Sequence, residues 1–142
     1  MPLCFFIGHR DAPESIYPAL LSAVRQHAEE RGITEFLVGQ YGAFDRMAAR
    51  AAAEVKKSCP HLTLTLLLPY HPAERKFTLP EGFDGTLYPP DMEKTPRRLS
   101  IPRANRYAVG LADSVIAYAR RPGNARELME YARSRGKTVR CL

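Results

Sequence analysis

Five short runs of apolar residues punctuate the chain, and glycine or proline bounds several of them. Runs of this length with such boundaries are typical of buried β-strands. The predicted strands are Leu3–Ile7, Phe36–Val38, Leu62–Leu68, Val115–Tyr118 and Thr138–Leu142. The pattern therefore predicts a five-stranded sheet.

Helical periodicity fills three of the intervals between these runs. Ser15–Arg31 carries its apolar residues on one face and ends before Gly32. Phe44–Lys57 is rich in alanine, and Asn124–Arg135 ends before Gly136. Regular alternation of strand and helix favours right-handed crossovers and a parallel sheet covered on both faces. The sequence thus predicts a doubly wound α/β fold with a mainly parallel sheet.

The stretch from Pro69 to Pro102 breaks this rhythm. It holds seven of the twelve prolines and shows no clear period. A loop of this length in a compact domain is usually functional, and proline lowers the entropy that is lost when it becomes ordered. One interpretation is a semi-rigid flap, at about residues 69–102, over the strand ends. The other is an excursion that packs its larger apolar side chains onto the body, namely Phe77, Phe83, Leu87 and Tyr88.

Length and composition fit one globular domain over residues 1–142, with 45% hydrophobic and 25% charged residues. They exclude a collagen-like or a disordered chain. The net charge of +6 is uneven, because the segment from Arg97 onward holds eleven basic and only three acidic residues. Such a segment predicts a surface that faces phosphates or nucleic acid; the alternative is a solubilising helix face.

The three cysteines, Cys4, Cys59 and Cys141, lie far apart, without a CxxC pair or a histidine at metal-ligand spacing. They predict neither a disulfide framework nor a metal site, and they fit a reducing cytoplasm. The apolar run Leu3–Ile7 is too short for a signal sequence or a membrane span. We therefore expect a cytoplasmic protein without a membrane partner.

Gly8-His9-Arg10 follows the first predicted strand. In an open parallel sheet, ligands bind outside the carboxyl ends of the strands. Gly8 permits close backbone approach, His9 can donate a hydrogen bond, and Arg10 offers a planar fork for phosphate or carboxylate. On its own, the tripeptide is also typical of a turn with two solvated side chains.

A second glycine-containing turn, Gly39-Gln40-Tyr41-Gly42, follows the second predicted strand and leads into the alanine-rich helix. Free N–H groups at a helix start form an anion cradle. Asp45 falls in or near the first helical turn, where its carboxylate repels phosphate. We therefore expect Asp45 to cap the helix or to accept from a ligand hydroxyl such as that of a ribose. Gly39, Gly42 and Asp45 are candidate binding residues, although the turn is neither a Walker loop nor a G-x-G-x-x-G motif.

Two arginine-containing segments flank the fourth predicted strand. Arg103-Ala104-Asn105-Arg106-Tyr107 precedes the strand, and Arg120-Arg121-Pro122-Gly123-Asn124 follows it at the opening of a helix. We interpret both as turn regions. Four such regions then converge with Gly, Arg, Asn and Asp side chains, as a nucleotide-sized site requires. Their candidate ligand-binding residues are Arg103, Asn105, Arg106, Gly123 and Asn124.

These motifs, taken in order along the chain, resemble a known family. They are Gly8-His9-Arg10, Gly42-Ala43-Phe44-Asp45, Leu67-Leu68-Pro69-Tyr70, Asn105-Arg106-Tyr107 before Asp113, and Glu130-Tyr131-Ala132. Their combination is similar to the YpsA-type branch of the SLOG superfamily, Rossmann-like proteins related to the DNA-processing protein DprA and to the "lonely guy" phosphoribohydrolases. The resemblance covers nearly the whole chain. It implies a single Rossmann-like domain, often dimeric, with a nucleotide or NAD-derived ligand at the strand ends; we expect a homodimer and no cofactor.

The chain departs from the phosphoribohydrolase relatives in their Pro-Gly-Gly-x-Gly-Thr-x-x-Glu loop. Laid without gaps from Pro122 onward, that loop keeps only Pro122, Gly123 and the acidic position, Glu130. The positions of Gly, Gly and Thr are taken by Asn124, Arg126 and Glu127. The phosphate loop of those enzymes is therefore incomplete here.

The relatives' catalytic arginine falls on Ala104, with Arg103 and Arg106 on either side. A shifted guanidinium seldom keeps bidentate geometry. We therefore favour binding or sensing of a nucleotide or nucleotide-derived ligand, and leave enzyme activity open. The alternative is a nucleotide N-glycosidic (phosphoribo)hydrolase, in which Glu130 stabilises an oxocarbenium-like sugar and Arg106 or Arg103 holds the phosphate. Single-stranded nucleic-acid binding by the arginine-rich surface is a lower alternative.

Overall fold

The six strands of the sheet all run parallel. They belong to a computed structural model that describes residues 2–73 and 78–142. The strands are β1 (Leu3–Gly8), β2 (Glu35–Val38), β3 (Thr63–Leu67), β4 (Gly85–Leu87), β5 (Ser114–Tyr118) and β6 (Thr138–Cys141). Their order across the sheet is β4-β3-β2-β1-β5-β6, so the first strand of the chain lies in the interior. The predicted parallel α/β class is confirmed.

Four α-helices cover the two faces of the sheet. They are α1 (Tyr17–Glu29), α2 (Ala43–Ser58), α3 (Ser100–Leu111) and α4 (Asn124–Ser134). Successive side chains of a strand point to opposite faces. Accordingly, Cys4 and Phe6 of β1 pack in the core with α1 and α2, whereas Phe5 and Ile7 pack in the core with α3 and α4. This arrangement confirms the doubly wound, Rossmann-like single domain. None of the described helices is long and apolar enough to cross a membrane.

The direction of winding reverses between β1 and β5. These two strands pair from Cys4 opposite Ser114 to Gly8 opposite Tyr118. The helix after β1 covers one face and the helix after β5 covers the other. The two chain segments therefore diverge at the carboxyl ends of β1 and β5 and leave a crevice, the topological switch point at which open α/β sheets bind ligands.

The sequence pattern did not predict β4 or α3, and one prediction is wrong. Arg103–Tyr107 lies within α3 and not in a turn. The buried positions of α3 are mostly small residues, which leave no period of large apolar side chains. Pro102 stands in the first turn of that helix, where the missing N–H is tolerated. β4 has three residues, none of them buried, at the edge of the sheet, and so it forms no apolar run.

The described part of the proline-rich segment packs onto the body of the domain. Phe83 lies against the core with α1 and α2, and Leu87 and Tyr88 lie against the opposite core. Phe77 lies outside the described residues. The segment also supplies β4, so it extends the sheet beyond the five predicted strands. A flap over the strand ends stays a prediction.

Candidate functional site

Gly8 ends β1 at the point where α2 approaches the sheet most closely. A Cβ atom on Gly8 would lie 2.2 Å from Cγ of Phe44, in the first turn of α2. Phe44 is completely buried, and its ring stacks on Tyr118 at a centroid distance of 6.3 Å. Gly8 is therefore needed so that the start of α2 can reach the ends of β1 and β5.

Gly42 and Arg10 form a second close approach beside the first. A Cβ atom on Gly42 would lie 2.6 Å from the Cα atom of Arg10. The backbone N–H of Ala43 donates to the Arg10 carbonyl at 2.8 Å. Among the described residues, no side chain caps the start of α2. The positive end of the helix dipole thus lies against the loop that carries Arg10.

His9 joins the end of β1 to the loop after β5. Its backbone N–H donates to the Tyr118 carbonyl at 3.3 Å, and its Nε2 accepts from the backbone N–H of Arg121 at 3.4 Å. The ring meets Tyr118 edge-on and the residue is 7% exposed. Burial, and then the charge of Arg121, lowers the pKa of His9. The imidazole is therefore neutral at pH 7, and the bond to Nε2 places its proton on Nδ1.

Three arginines lie between the end of β5 and the first turn of α4, and the charges of Arg121 and Arg126 act on His9. Arg121 pairs with Asp11 at 2.6 Å, and Nε of Arg126 donates to the Ala119 carbonyl at 2.8 Å. The guanidinium of Arg120 lies 5.1 Å from the Tyr118 ring centroid. These three residues were not among the candidate binding residues. The sequence had singled out the segment that begins with Arg120 because it follows a strand, but only Gly123 and Asn124 of that segment became candidates.

Gly123 and Asn124 lie where α4 begins, and both are exposed. Gly123 precedes the helix with a φ of 140°, a conformation that residues with a side chain rarely adopt. No side chain caps this helix start either. The structure therefore brings two uncapped helix starts, α2 and α4, to the same edge of the sheet as Arg10.

Gly39 and Asp45 line a separate groove beside α2, with a volume of about 910 Å³. The backbone N–H of Tyr41 donates to Oδ2 of Asp45 at 3.0 Å. A Cβ atom on Gly39 would lie 3.1 Å from that oxygen, so the absent side chain leaves room for the carboxylate. Burial raises the pKa of Asp45 to about 6. Asp45 therefore does not cap the helix, which was one expectation: its carboxylate accepts from the Tyr41 N–H, upstream of the helix, instead.

The remaining candidates lie on the helices of the opposite face. Arg103, Asn105 and Arg106 belong to α3, and the guanidinium of Arg106 stacks on the ring of Tyr131 in α4, 4.7 Å from its centroid. Glu130 is exposed and lines a cavity of about 290 Å³ between α4 and the ends of β5 and β6. Arg106 and Glu130 therefore reach different sides of α4. Within the described residues no cluster of His, Cys, Asp and Glu could hold a metal ion.

Comparison with known proteins identifies the fold. No family model matches the chain, and its sequence has no match among curated proteins. The DNA processing protein A (DprA) of Streptococcus pneumoniae superposes with a TM-score of 0.73 at 17% sequence identity, over 99% of this chain and 50% of that one. The DprA of Helicobacter pylori, described for its single-stranded DNA binding mode, gives 0.67 at 18% identity, over 99% of this chain and 64% of that one.

The likeness to these two structures confirms a DprA-like, Rossmann-like fold. The chain spans between half and two thirds of the length of the DprA chains it matches. At this sequence identity the likeness concerns the fold alone, and function has to be argued from the site.

Proposed function

We propose that this domain binds a nucleotide through its phosphate at the carboxyl edge of the sheet, in the crevice between β1 and β5. The observation that carries the proposal is the position of the loop that bears Arg10: its backbone carbonyl accepts from the Ala43 N–H at the start of α2, and the neutral His9 lies beside it against the backbone of Arg121. Backbone N–H groups at a helix start and a guanidinium are both ligands that phosphate oxygens prefer. A nucleotide at the switch point is also the usual use of this architecture.

The proposal favours binding over hydrolysis. Ala104, at the position of the relatives' catalytic arginine, is completely buried. Arg106 is stacked on Tyr131, and Glu130 lines a different cavity. A hydrolase needs its carboxylate and its phosphate-binding arginine around one substrate. The positions of these residues therefore support a binding or sensing domain.

Replacement of Arg10 by alanine tests the nucleotide site. We expect the affinity for AMP to fall by about 1.5–3 kcal/mol, the usual scale for a hydrogen bond to a charged group, which is roughly ten- to a hundredfold. Isothermal titration calorimetry measures the change directly. If AMP does not bind the wild-type domain, titrations with ADP-ribose and NAD extend the test to larger nucleotides.

Arg135→Ala is the matched control for this experiment. Arg135 is exposed and follows the last residue of α4, at the end of the helix opposite to the carboxyl edge. The variant loses the same formal charge and should bind AMP as the wild type does. Equal losses of AMP affinity in Arg10→Ala and Arg135→Ala would show that the net charge of the domain, and not the crevice, governs binding. That result would contradict the proposed site.

Single-stranded DNA is the second candidate ligand. The DprA of Helicobacter pylori has the same fold and binds single-stranded DNA. In the present chain, eight of the eleven basic residues from Arg97 onward are exposed, and among the described residues only Arg121 of these pairs with a carboxylate. Unpaired surface arginines provide the electrostatic attraction that tracks a nucleic-acid backbone.

The salt dependence of binding separates this candidate from a mononucleotide site. For a fluorescently labelled oligothymidylate, the logarithm of the association constant should fall with the logarithm of salt concentration, with a slope of roughly −0.7 per phosphate contacted. Arg106→Ala should lower the slope for the oligonucleotide and leave AMP binding unchanged. Fluorescence anisotropy measures the slope, and a value near zero would remove nucleic acid from the candidates.

Three broader expectations accompany the proposal. The motifs that begin with Gly8-His9-Arg10 support assignment to the YpsA-type branch of the SLOG superfamily. A homodimer is expected from the same resemblance, and sedimentation at micromolar concentration tests it. The three cysteines are unpaired in the structure, which is compatible with the expected cytoplasmic location.

A further inference from the structure

A groove of about 910 Å³ runs along α2, on the side of that helix towards β3 and the loop 80–83. Its floor is apolar, because Ala49 and Ala53 present only methyl groups and Leu66 of β3 lies beneath them. Pro80 and Phe83 form the far wall. The volume lies within the range of pockets that hold small molecules.

The charged residues on the rim of the groove mostly have partners. Arg50 pairs with Glu14 and lies over the Tyr17 ring. Lys56 pairs with Asp84, outside the groove lining. Lys57 pairs with Glu54 at 3.1 Å. These contacts neutralise much of the rim charge, so the rim alone gives little preference for an anionic or a cationic ligand.

Asp45, at the end of the groove near β2, differs from these rim residues because it forms no ion pair within the described residues. One carboxylate oxygen accepts from the Tyr41 N–H, and the other accepts no hydrogen bond from the described residues. Arg10 and Arg46 act on this carboxylate only through their fields, since neither forms an ion pair with it within the described residues. Burial of the group outweighs both charges and raises its pKa to about 6. An unpaired carboxylate next to an apolar floor complements a ligand that carries a hydrogen-bond donor and a positive charge.

We propose that the groove along α2 is a second ligand site, for a small molecule with an apolar ring or chain and a protonated nitrogen that donates to Asp45. The apolar body lies over Ala49, Ala53 and Leu66. The apolar part of the groove does not overlap the proposed nucleotide site, because Ala49 and Ala53 lie beyond the first turn of α2, whereas Asp45 stands in that turn.

The absence of tryptophan from the chain permits a direct test with indole probes. Tryptamine and indole-3-propionate carry the same ring and opposite charges, and their fluorescence is separable from that of the protein. A fragment of this size in a suitable pocket should bind with a Kd of about a millimolar. We expect tryptamine emission to shift to the blue on binding, and its affinity to exceed that of indole-3-propionate by about tenfold or more.

Two variants and two controls locate the binding. Ala49→Phe fills the groove and should lower tryptamine affinity by about tenfold or more, whereas Ala19→Phe, at an exposed alanine of α1, should have no effect. Asp45→Asn keeps the shape of the group and should abolish the preference for the amine. Ala49→Phe should bind AMP as the wild type does, because residue 49 lies in the groove and not at the start of α2, so that failure of the nucleotide site and failure of the groove site are distinguishable.

The outcomes divide as follows. Blue-shifted tryptamine binding that is lost in Ala49→Phe and loses its charge preference in Asp45→Asn supports the site. An equal or stronger response to indole-3-propionate overturns it, as does an Ala49→Phe variant that binds like Ala19→Phe. The absence of any shift with tryptamine at about ten times the expected Kd also overturns it. Circular dichroism of each variant confirms that the comparison is made between folded proteins.

Discussion

Replacing Gly8 by alanine should destabilise the domain by about 2–3 kcal/mol, at the upper end of the usual cost of overpacking a core. The added methyl group would lie 2.2 Å from the Phe44 ring, which cannot withdraw because it is completely buried between Phe6 and Tyr118. Either α2 moves away from the sheet or the ring leaves its rotamer. Urea unfolding of the purified variant measures the loss.

Gly110→Ala and a double variant are the controls for this prediction. Gly110 is an exposed residue of α3, and a Cβ atom there meets nothing within 4 Å, so alanine should stabilise the helix by about 0.5–1 kcal/mol. In a Phe44→Ala background, Gly8→Ala should cost less than in the wild type, because the ring atoms at 2.2 and 2.3 Å are gone and only the Cβ atom, at 2.8 Å, remains too close. A Gly8→Ala variant as stable as the wild type would show that the start of α2 does not depend on this close approach.

Replacing Asp45 by asparagine should stabilise the domain at about pH 8 by up to roughly 3 kcal/mol, the equivalent of a shift of about two pH units. Burial raises the pKa of Asp45 from 3.8 to about 6, so the folded state holds this proton more tightly than the unfolded chain does. The protonated Asp45 side chain therefore adds to the free energy of unfolding of the wild type. This contribution is complete below about pH 4 and is lost as the pH rises through about 6. The amide oxygen of asparagine can still accept a hydrogen bond from the Tyr41 N–H, and the side chain carries no charge at any pH.

The difference in the free energy of unfolding between Asp45→Asn and the wild type should therefore vanish near about pH 4 and reach its maximum by about pH 8. Urea unfolding across this range measures it, and the titration of His9 and His27 cancels because both proteins contain them. Asp11→Asn is the control, for which we expect a stability change of the opposite sign. The hydrogen bond with Arg121 lowers the pKa of Asp11, whereas burial raises that of Asp45. Asp11→Asn should lose stability above about pH 4 relative to the wild type. An Asp45→Asn variant less stable than the wild type at high pH would contradict the burial of an unpaired charge.

A buried carboxylate that lowers stability at neutral pH is one of the marks of a functional site. We expect Asp45, on the wall of the groove, to have this property; the sequence made it a candidate binding residue near a helix start but did not indicate the groove. The groove around it is lined by Gly39 after β2, Leu66 of β3 and the loop 80–83, which lie far apart along the chain. Local patterns carry no information on such contacts.

The fold itself was largely predictable, because large apolar residues mark β1, β2, β3, β5 and β6. Prediction failed for β4 and α3, where short length and small buried residues leave no periodic signal. Pro102 strengthened the error, since a proline within the first turn of a helix resembles a proline in a loop. The position of Gly8, His9, Arg10 and Gly42 at the carboxyl edge was predictable because the residues after parallel strands meet at one edge; their role in binding stays a prediction. Arg103 and Arg106 were misplaced because the helix that carries them was missed.

The interior position of β1 has a consequence for the newly made protein. The Leu3 N–H donates to the Asp113 carboxylate, 110 residues further along the chain. The hydrogen bonds between β1 and β5 cannot form until that region has been synthesised. At about 5–20 residues per second, a ribosome needs roughly 5–20 s to supply it. During this interval the strand Leu-Cys-Phe-Phe-Ile exposes an unpaired apolar edge, which is the kind of segment that aggregates or binds chaperones. Cells that make this domain must therefore protect its first few residues until most of the chain has been synthesised.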